Sequence, residues 1–179
     1  MSNLNAADLT IGIVGAGAMG RGIAQVSITG GMKALLFDAA DGAAAKAEEF
    51  IHGMLDRNVD KGRMEAADAE AAKSRLSVVS TLEGLAPCNL VVEAIVENIA
   101  IKQEVFTSLE KVVADDAIIA SNTSSIRIAS IAAACERKDR IAGLHFFNPV
   151  PLMRLVEVIR APHTSDKTAD TLIEIGKFM

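Results

Sequence analysis

Short apolar runs rich in branched side chains alternate along this chain with longer stretches in which apolar positions recur every three or four residues. The short runs indicate strands of a buried sheet, and the periodic stretches indicate amphipathic helices. Strands are predicted at residues 9–14, 33–37, 76–79, 90–94, 117–121, 141–145 and 155–159. This alternation implies an α/β fold with a Rossmann-type doubly wound, mostly parallel sheet and helices on both of its faces.

The clearest periodic stretch covers residues 41–61, where Ala47, Ile51 and Leu55 fall on one side of a helix that Gly62 ends. Further helices are predicted from residue 20 to about residue 29 and at residues 65–74 and 99–113. A last helix is predicted to start after Ser165, which is a favourable capping residue. The length of the chain fits a single domain.

A glycine-rich turn, Gly-Ala-Gly-Ala-Met-Gly at residues 15–20, separates the first predicted strand from the first helix. Gly15 permits a tight turn, Gly17 lets a pyrophosphate approach the backbone, and Gly20 lets helix and strand pack closely. The next strand ends in Asp38, roughly 18 residues beyond Gly20, where an acidic residue binds the adenosine ribose of a dinucleotide. Because a carboxylate repels a 2′-phosphate and no arginine follows it, this unit predicts NAD as the cofactor rather than NADP.

Two polar residues interrupt apolar runs in the last third of the chain. His145 ends one predicted strand, and Glu157 lies inside the next. A carboxylate buried in a strand is costly unless it is paired, and a histidine held by a carboxylate is a suitable general base. The two residues are therefore predicted to form a buried pair, and the alternative is two unrelated polar residues at strand ends.

Composition limits the classes of function. Half of the 179 residues are hydrophobic, which is enough for one core, and the net charge of −5 argues against nucleic acid or an anionic membrane as partner. The first ten residues contain no apolar run typical of a signal peptide, and no stretch approaches the ~20 residues of a membrane span. Cys88 and Cys135 have no neighbours at metal-ligand spacing, so buried thiols in a reducing, cytoplasmic compartment are expected.

Three further segments follow the glycine-rich turn in the order typical of 3-hydroxyacyl-CoA dehydrogenases. They are Leu-Val-Val-Glu-Ala-Ile-Val-Glu at residues 90–97, Ser-Asn-Thr-Ser-Ser at 121–125 and Leu-His-Phe-Phe-Asn-Pro at 144–149. Over essentially its whole length the chain resembles this family, and its residues 149–158 are most similar to the short, stand-alone 3-hydroxybutyryl-CoA dehydrogenases. The resemblance implies NAD-dependent oxidation of a 3-hydroxyacyl-CoA to a 3-oxoacyl-CoA, or the reverse reduction, in fatty-acid or related acyl-CoA metabolism.

The resemblance also implies roles for individual residues. His145 is the implied base that takes the hydroxyl proton, and Glu157 holds its tautomer. Ser124 is implied to hydrogen-bond the substrate oxygen, and Asn148 to lie near the nicotinamide and the substrate. Lys61, at the end of the long helix, is the implied contact to the phosphates of coenzyme A. The implied cofactor contacts are Gly15, Gly17, Ala18, Met19, Gly20, Asp38, Glu97 and Lys102.

Simpler roles stay open for three of these residues. Ser124 and its neighbour Ser125 could cap a helix that starts near Ile126. Glu97 could be a first-turn acid that complements the dipole of its own helix. Asn148 could shape a turn before a proline and do nothing else.

The last predicted helix carries an apolar stripe formed by Ala169, Leu172, Ile173, Gly176 and Met179. We expect this stripe to be left uncovered, because the resemblance implies a mostly helical C-terminal domain beyond these residues. That domain would carry the dimer interface and part of the acyl-CoA cleft. Residues 1–179 are therefore expected to be the NAD-binding domain of a homodimeric enzyme.

Two other functions are compatible with parts of the sequence. Free-acid 3-hydroxyacid dehydrogenases share a similar glycine-rich opening, but they are not expected to contain the run at residues 144–149. A non-catalytic NAD-binding module is disfavoured by the intact pair of His145 and Glu157, since such a module has no reason to retain a buried ion pair. The length of the acyl chain is left open.

Overall fold

The computed structural model describes residues 4–179. The first three of the ten N-terminal residues, in which no signal-peptide run is found, lie outside the described residues. Short strands alternate with helices along this part of the chain. The strands are β1 (Thr10–Val14), β2 (Lys33–Phe37), β3 (Leu76–Val78), β4 (Leu90–Glu93), β5 (Ile118–Ser121), β6 (Ile141–Phe146) and β7 (Val156–Ile159). The helices are α1 (Ala18–Thr29), α2 (Ala43–Asp60), α3 (Ala66–Lys73), α4 (Ile99–Val112), α5 (Ile128–Ala132) and α6 (Asp166–Gly176).

The strands of residues 4–179 form one seven-stranded sheet in the order β3-β2-β1-β4-β5-β6-β7. The first six strands pair in parallel, and β7 pairs with β6 in the antiparallel direction. The order reverses between β1 and β4, and doubly wound sheets bind ligands beyond the carboxyl ends of the strands at such a point. The predicted Rossmann-type fold with a mostly parallel sheet is confirmed.

Helices cover both faces of the sheet because successive strand residues point to opposite sides. On one face Leu90 and Val92 join a core that includes Leu172 of α6. On the other face Val91 packs in a second core with Phe106 of α4. Cys88 and Cys135 belong to this second core as free, buried thiols, and burial raises the pKa of Cys88 to about 12.

Most predicted helices and strands agree with the structure to within a few residues, and the main differences lie near the predicted site residues. The helix expected near Ile126 starts at Ile128 with Arg127 as its N-cap. Ser165 caps α6 as predicted, because its side chain accepts a hydrogen bond from the backbone N–H of Thr168.

The expectation that the apolar stripe of α6 is left uncovered is wrong for Ala169 and Leu172, whereas Ile173 is exposed as expected. Ala169 and Leu172 are buried within this chain, because α6 folds back onto β6 and β7. Besides Ile173, the exposed large apolar side chains of this region are Leu152, Met153 and Leu155.

Candidate active site

The glycine-rich turn lies between β1 and α1, at the carboxyl edge of the sheet. Gly15 has a φ of +103°, and a side chain there would approach the carbonyl oxygen of Ala94 to 2.6 Å. A side chain at Gly20 would lie 1.7 Å from the carbonyl oxygen of Gly15. Both glycines are therefore required by the protein itself, which keeps the turn tight and α1 close to the sheet.

The surroundings of Gly17 fit a dinucleotide. Apart from Gly17 and its two chain neighbours, no residue among 4–179 has an atom within 4 Å of the position that a Cβ of Gly17 would take. Gly17 is also the N-cap of α1, where no side chain of the described residues caps the helix. Open space in front of the free N–H groups of Ala18 and Met19 suits a pyrophosphate, whose charge the helix dipole favours.

Asp38 follows β2 and reaches the same turn. Its Oδ2 accepts a hydrogen bond from the backbone N–H of Ala16 at 2.6 Å, and its Oδ1 accepts one from Ala40 at 2.8 Å. An ionised carboxylate offers about four acceptor positions, so the half-buried side chain can still accept from ribose hydroxyls. Its hydrogen bond to the turn was not anticipated from the sequence.

His145 and Glu157 face each other across the antiparallel pair of β6 and β7. The imidazole Nδ1 lies 2.9 Å from Oε2 of Glu157. Because a carboxylate only accepts, Nδ1 carries the proton in this contact, and Nε2 is the ring nitrogen with a free lone pair. The ring also contacts Phe147, with 4.7 Å between the ring centroids.

The prediction that this pair is buried is wrong. The side chain of His145 is 20% exposed and that of Glu157 is 52% exposed, because β7 is the edge strand of the sheet. Burial of this pair therefore gives no reason to exclude a non-catalytic module, but Glu157 still orients the imidazole.

One cavity of about 370 Å³ at this edge brings together several of the predicted site residues. Its floor and walls come from the turn after β1 and from the segments after β4, β5 and β6. The predicted residues that line it are Met19, Glu97, Lys102, Ser124, His145 and Asn148. Ala94, Ile95, Asn122, Phe146 and Phe147 complete the lining.

Glu97 is held in this cavity by neighbouring side chains. It precedes Asn98, the N-cap of α4, so it is not the first-turn acid of that helix. Its Oε1 accepts hydrogen bonds from the hydroxyls of Thr123 and Ser125, and its Oε2 lies 3.3 Å from the Lys102 ammonium. Although partial burial works in the opposite direction, these hydrogen bonds and the ammonium lower the pKa of Glu97 to about 2.

Lys102 is almost completely enclosed, which its position on a helix did not indicate. Its side chain is 1% exposed, and its Nζ lies 2.6 Å from Oε1 of Glu93, whose side chain is 0% exposed. Sequence reasoning missed Glu93. A carboxylate at the end of the apolar run of β4 is the same signal that drew attention to Glu157, and it could have been found in that way.

The simpler roles considered for the remaining residues have different outcomes. Ser124 and Ser125 precede Arg127, the N-cap of α5, so neither caps that helix. Asn148 lies in the bend after β6, which agrees with a turn-forming role and also places it in the cavity. Lys61 is the exposed C-cap residue of α2, apart from the cavity residues.

Residues 10–179 match the family model of the 3-hydroxyacyl-CoA dehydrogenase NAD-binding domain. The chain belongs to this family. NAD is accordingly its cofactor, as predicted. The match covers the glycine-rich turn, the cavity and the pair of His145 and Glu157.

Curated relatives and solved structures of this family agree closely with the chain. It is 45% identical over 171 residues to the mitochondrial hydroxyacyl-coenzyme A dehydrogenase of Sus scrofa, covering 92% of this chain and 54% of that protein. It is 42% identical over 160 residues to a 3-hydroxybutyryl-CoA dehydrogenase of Mycobacterium tuberculosis, covering 89% and 56%. The crystal structure of (S)-3-hydroxybutyryl-CoA dehydrogenase from Ralstonia eutropha superimposes with a TM-score of 0.91 at 40% identity, covering 94% and 60%.

This chain therefore spans about half the length of the curated relatives that it matches. Within residues 4–179, no helix is both long and apolar enough to cross a membrane.

Proposed function

We propose that the protein oxidises the 3-hydroxyl of a 3-hydroxyacyl-CoA to the 3-oxoacyl-CoA with NAD, and catalyses the reverse reduction. The observation that carries this proposal is the alignment of His145. Its Nδ1 is bound by Glu157, and its ring lines the cavity beside the dinucleotide turn. A base with a free lone pair next to the cofactor is what oxidation of an alcohol requires.

When bound, NAD would accept the hydrogen of the carbinol carbon as a hydride, that is, with both electrons of the C–H bond. His145 takes the hydroxyl proton through Nε2, and the resulting imidazolium is stabilised by Glu157. We assign Ser124 and Asn148, which line the same cavity, to hydrogen bonds that hold the substrate oxygen and the nicotinamide in place. In the reduction, the same imidazolium returns the proton to the carbonyl oxygen.

The cofactor lies, in this proposal, along the carboxyl edge of the sheet. The pyrophosphate meets Gly15, Gly17 and the first turn of α1 with Ala18, Met19 and Gly20. The adenosine ribose meets Asp38, and the nicotinamide half meets Glu97 and Lys102.

The coenzyme A portion and the second domain belong to the same proposal. Lys61 is positioned at the end of α2 to bind a phosphate of coenzyme A, with Arg57 and Arg63 nearby in sequence. A helical C-terminal domain, in a protein of the relatives' length, supplies the other wall of the acyl cleft and a homodimer interface. The free, buried thiols fit a reducing cytoplasm, and the reaction fits the β-oxidation of fatty acids.

The experiment compares substrates that differ in the thioester. A protein of the relatives' length is assayed with NADH and acetoacetyl-CoA, longer 3-oxoacyl-CoAs, a dicarboxylyl analogue and free acetoacetate. Acetoacetyl-CoA and the dicarboxylyl analogue are included because relatives are named for 3-hydroxybutyryl-CoA and 3-hydroxyadipyl-CoA. We expect turnover of acyl-CoA substrates and none of acetoacetate. Turnover of the free acid alone would favour the free-acid dehydrogenase, and NADH binding without any turnover would favour a non-catalytic module.

A further inference from the structure

Glu93 is a fully buried carboxylate at the end of β4, and none of the proposed site roles uses it. Its Oε1 accepts hydrogen bonds from the ammonium of Lys102 at 2.6 Å and from the backbone N–H of Ile95 at 2.7 Å. Its Oε2 accepts one from the hydroxyl of Ser121 at 2.7 Å. These hydrogen-bond donors come from α4, from the segment after β4 and from the end of β5.

The position of Glu93 in the sheet explains these contacts. It is the last residue of β4, paired with Val14 of β1 on one side and with Ser121 of β5 on the other. Val14 leads directly into the glycine-rich turn, and Ser121 leads into the segment that carries Asn122 and Ser124. The carboxylate therefore lies at the junction of the segments that line the cavity.

Charge balance makes Glu93 necessary for Lys102. An enclosed ammonium is costly unless a carboxylate pairs with it at close range. Glu97, at 3.3 Å and 40% exposure, is the more distant of the two acids that contact Lys102, and Glu93 is the closer and fully buried one. Glu93 and Lys102 together are neutral, so the negative charge facing the cavity is that of Glu97.

The order of the strands decides which half of the cofactor these residues meet. Asp38 follows β2, which lies on one side of β1, and Glu97 follows β4, which lies on the other side. With the pyrophosphate at α1, above β1, the adenosine half extends towards Asp38. The nicotinamide half then extends towards Glu97, Lys102 and His145, which share the cavity.

We propose that Glu93 is a positioning residue that holds Lys102, and through it Glu97, in the arrangement that binds the nicotinamide half of the cofactor. The inference rests on the proposed cofactor contacts of Glu97 and Lys102. Glu93 itself touches neither cofactor nor substrate, because its carboxylate is enclosed by its three donors.

Binding measurements by calorimetry with NADH and with ADP test this inference. ADP contains the adenosine ribose and the pyrophosphate but no nicotinamide ribose. Glu93→Gln leaves Lys102 with only its more distant carboxylate, so we expect NADH affinity to fall by about tenfold or more, with ADP affinity nearly unchanged. Asp38→Ala is the converse control and should weaken both ligands. Equal losses for NADH and ADP in Glu93→Gln, or no loss at all, would overturn the inference.

Two further variants separate this inference from the proposed function. Glu97→Gln and Lys102→Met should each weaken the binding of NADH and leave the binding of ADP nearly unchanged. If they do and Glu93→Gln does not, only the role of Glu93 is wrong. If neither Glu97→Gln nor Lys102→Met weakens NADH binding, the proposed cofactor contacts are wrong and the role of Glu93 is overturned with them.

The double variant Glu93→Gln with Lys102→Met keeps the inference testable if Glu93→Gln fails to fold, because it contains no unpaired buried charge. If Glu93 acts through Lys102, the double variant should bind NADH as weakly as Lys102→Met alone. A further loss of NADH affinity beyond that of Lys102→Met would overturn the inference. Glu93→Asp, which keeps the negative charge, should bind NADH more tightly than Glu93→Gln does.

Discussion

The carboxylate of Asp38 accepts a hydrogen bond at 2.6 Å from the backbone N–H of Ala16, so the residue that follows β2 also holds the turn that follows β1. In our proposal one side chain thus shapes the pyrophosphate site and presents charge to the adenosine ribose. The two roles have different consequences for NADH and NADPH, since only the charge distinguishes a ribose from its 2′-phosphate.

Asp38→Ala should therefore reduce the preference for NADH over NADPH. Loss of the tether to Ala16 weakens both cofactors, and loss of the ribose hydrogen bonds costs NADH about 1–3 kcal/mol. NADPH, in contrast, is released from charge repulsion. The ratio of the two dissociation constants, measured by NADH and NADPH fluorescence, is the decisive quantity. Equal affinities in the wild type would contradict the proposed role of Asp38.

His145→Gln should lower kcat by roughly 10²–10⁴ in a protein of the relatives' length, because a positioned base is lost. NADH affinity should change little, since the assigned contacts of the cofactor are elsewhere. Steady-state rates with acetoacetyl-CoA and NADH measure the first effect, and calorimetry measures the second. A kcat near the wild-type value would place the base at another residue.

Glu157→Gln should have a smaller effect than His145→Gln. Its side chain is 52% exposed, and an ion pair that water reaches contributes only about 1 kcal/mol or less. We expect kcat to fall by about tenfold or less, as that energy implies. A loss as large as that of His145→Gln would show that Glu157 takes part more directly.

The lowered pKa of Glu97 predicts how the stability of the fold depends on pH. Its pKa is lowered from the ordinary 4.5 to about 2, so the unfolded chain binds a proton more readily than the folded chain in this interval. Stability from Glu97 is present above about pH 4.5 and is lost as the pH falls towards 2. Urea unfolding without cofactor should show a difference between wild type and Glu97→Gln that shrinks below pH 4.5. Thr123→Val, which removes one hydrogen bond to Glu97, should move this loss to higher pH.

Lys61→Ala should raise the KM for acetoacetyl-CoA and leave the KM for S-acetoacetyl-pantetheine unchanged. The second substrate has the same reacting group without the phosphates that a lysine would bind. Lys46→Ala is a matched control, since Lys46 is an exposed lysine on the same helix. Equal changes for both substrates would contradict a phosphate contact by Lys61.

The sequence predicted the sheet, the glycine-rich turn and the position of Asp38 because each depends on local patterns. Strand periodicity and the spacing of Gly15, Gly17 and Gly20 are determined within a single β-α-β unit. The contact between Asp38 and Ala16 was missed, since it requires the two strand ends to be adjacent in space.

The exposure of the pair of His145 and Glu157 was misjudged, and the burial of Lys102 was not foreseen, for reasons of topology. Apolar neighbours suggested that Glu157 is enclosed, but an edge strand has a neighbour on only one side. Lys102 lies on a helix, where a lysine is usually solvated. Its enclosure accompanies the ion pair with Glu93 at the end of β4, which the residues alone do not indicate.

The proposed division of the active site between two domains gives the last prediction. A polypeptide of residues 1–179 should bind NADH about as tightly as a protein of the relatives' length, because the glycine-rich turn, Asp38 and Glu97 are all within it. It should reduce acetoacetyl-CoA at a small fraction of the longer protein's rate. In our proposal the helical domain fixes the acyl thioester against the nicotinamide, and lost positioning removes on the order of 7 kcal/mol in favourable cases.

The exposed apolar side chains of Leu152, Met153, Leu155 and Ile173 provide a second readout for the same comparison. If they are the surface on which the helical domain packs, the 179-residue polypeptide should self-associate weakly in sedimentation experiments. Leu155→Ser should reduce that association and leave NADH affinity unchanged.

If the 179-residue polypeptide and the longer protein had turnover rates within a few-fold of each other, measured at saturating NADH and acetoacetyl-CoA, residues 1–179 would contain the complete active site. The proposed second domain would then have no part in positioning the substrate.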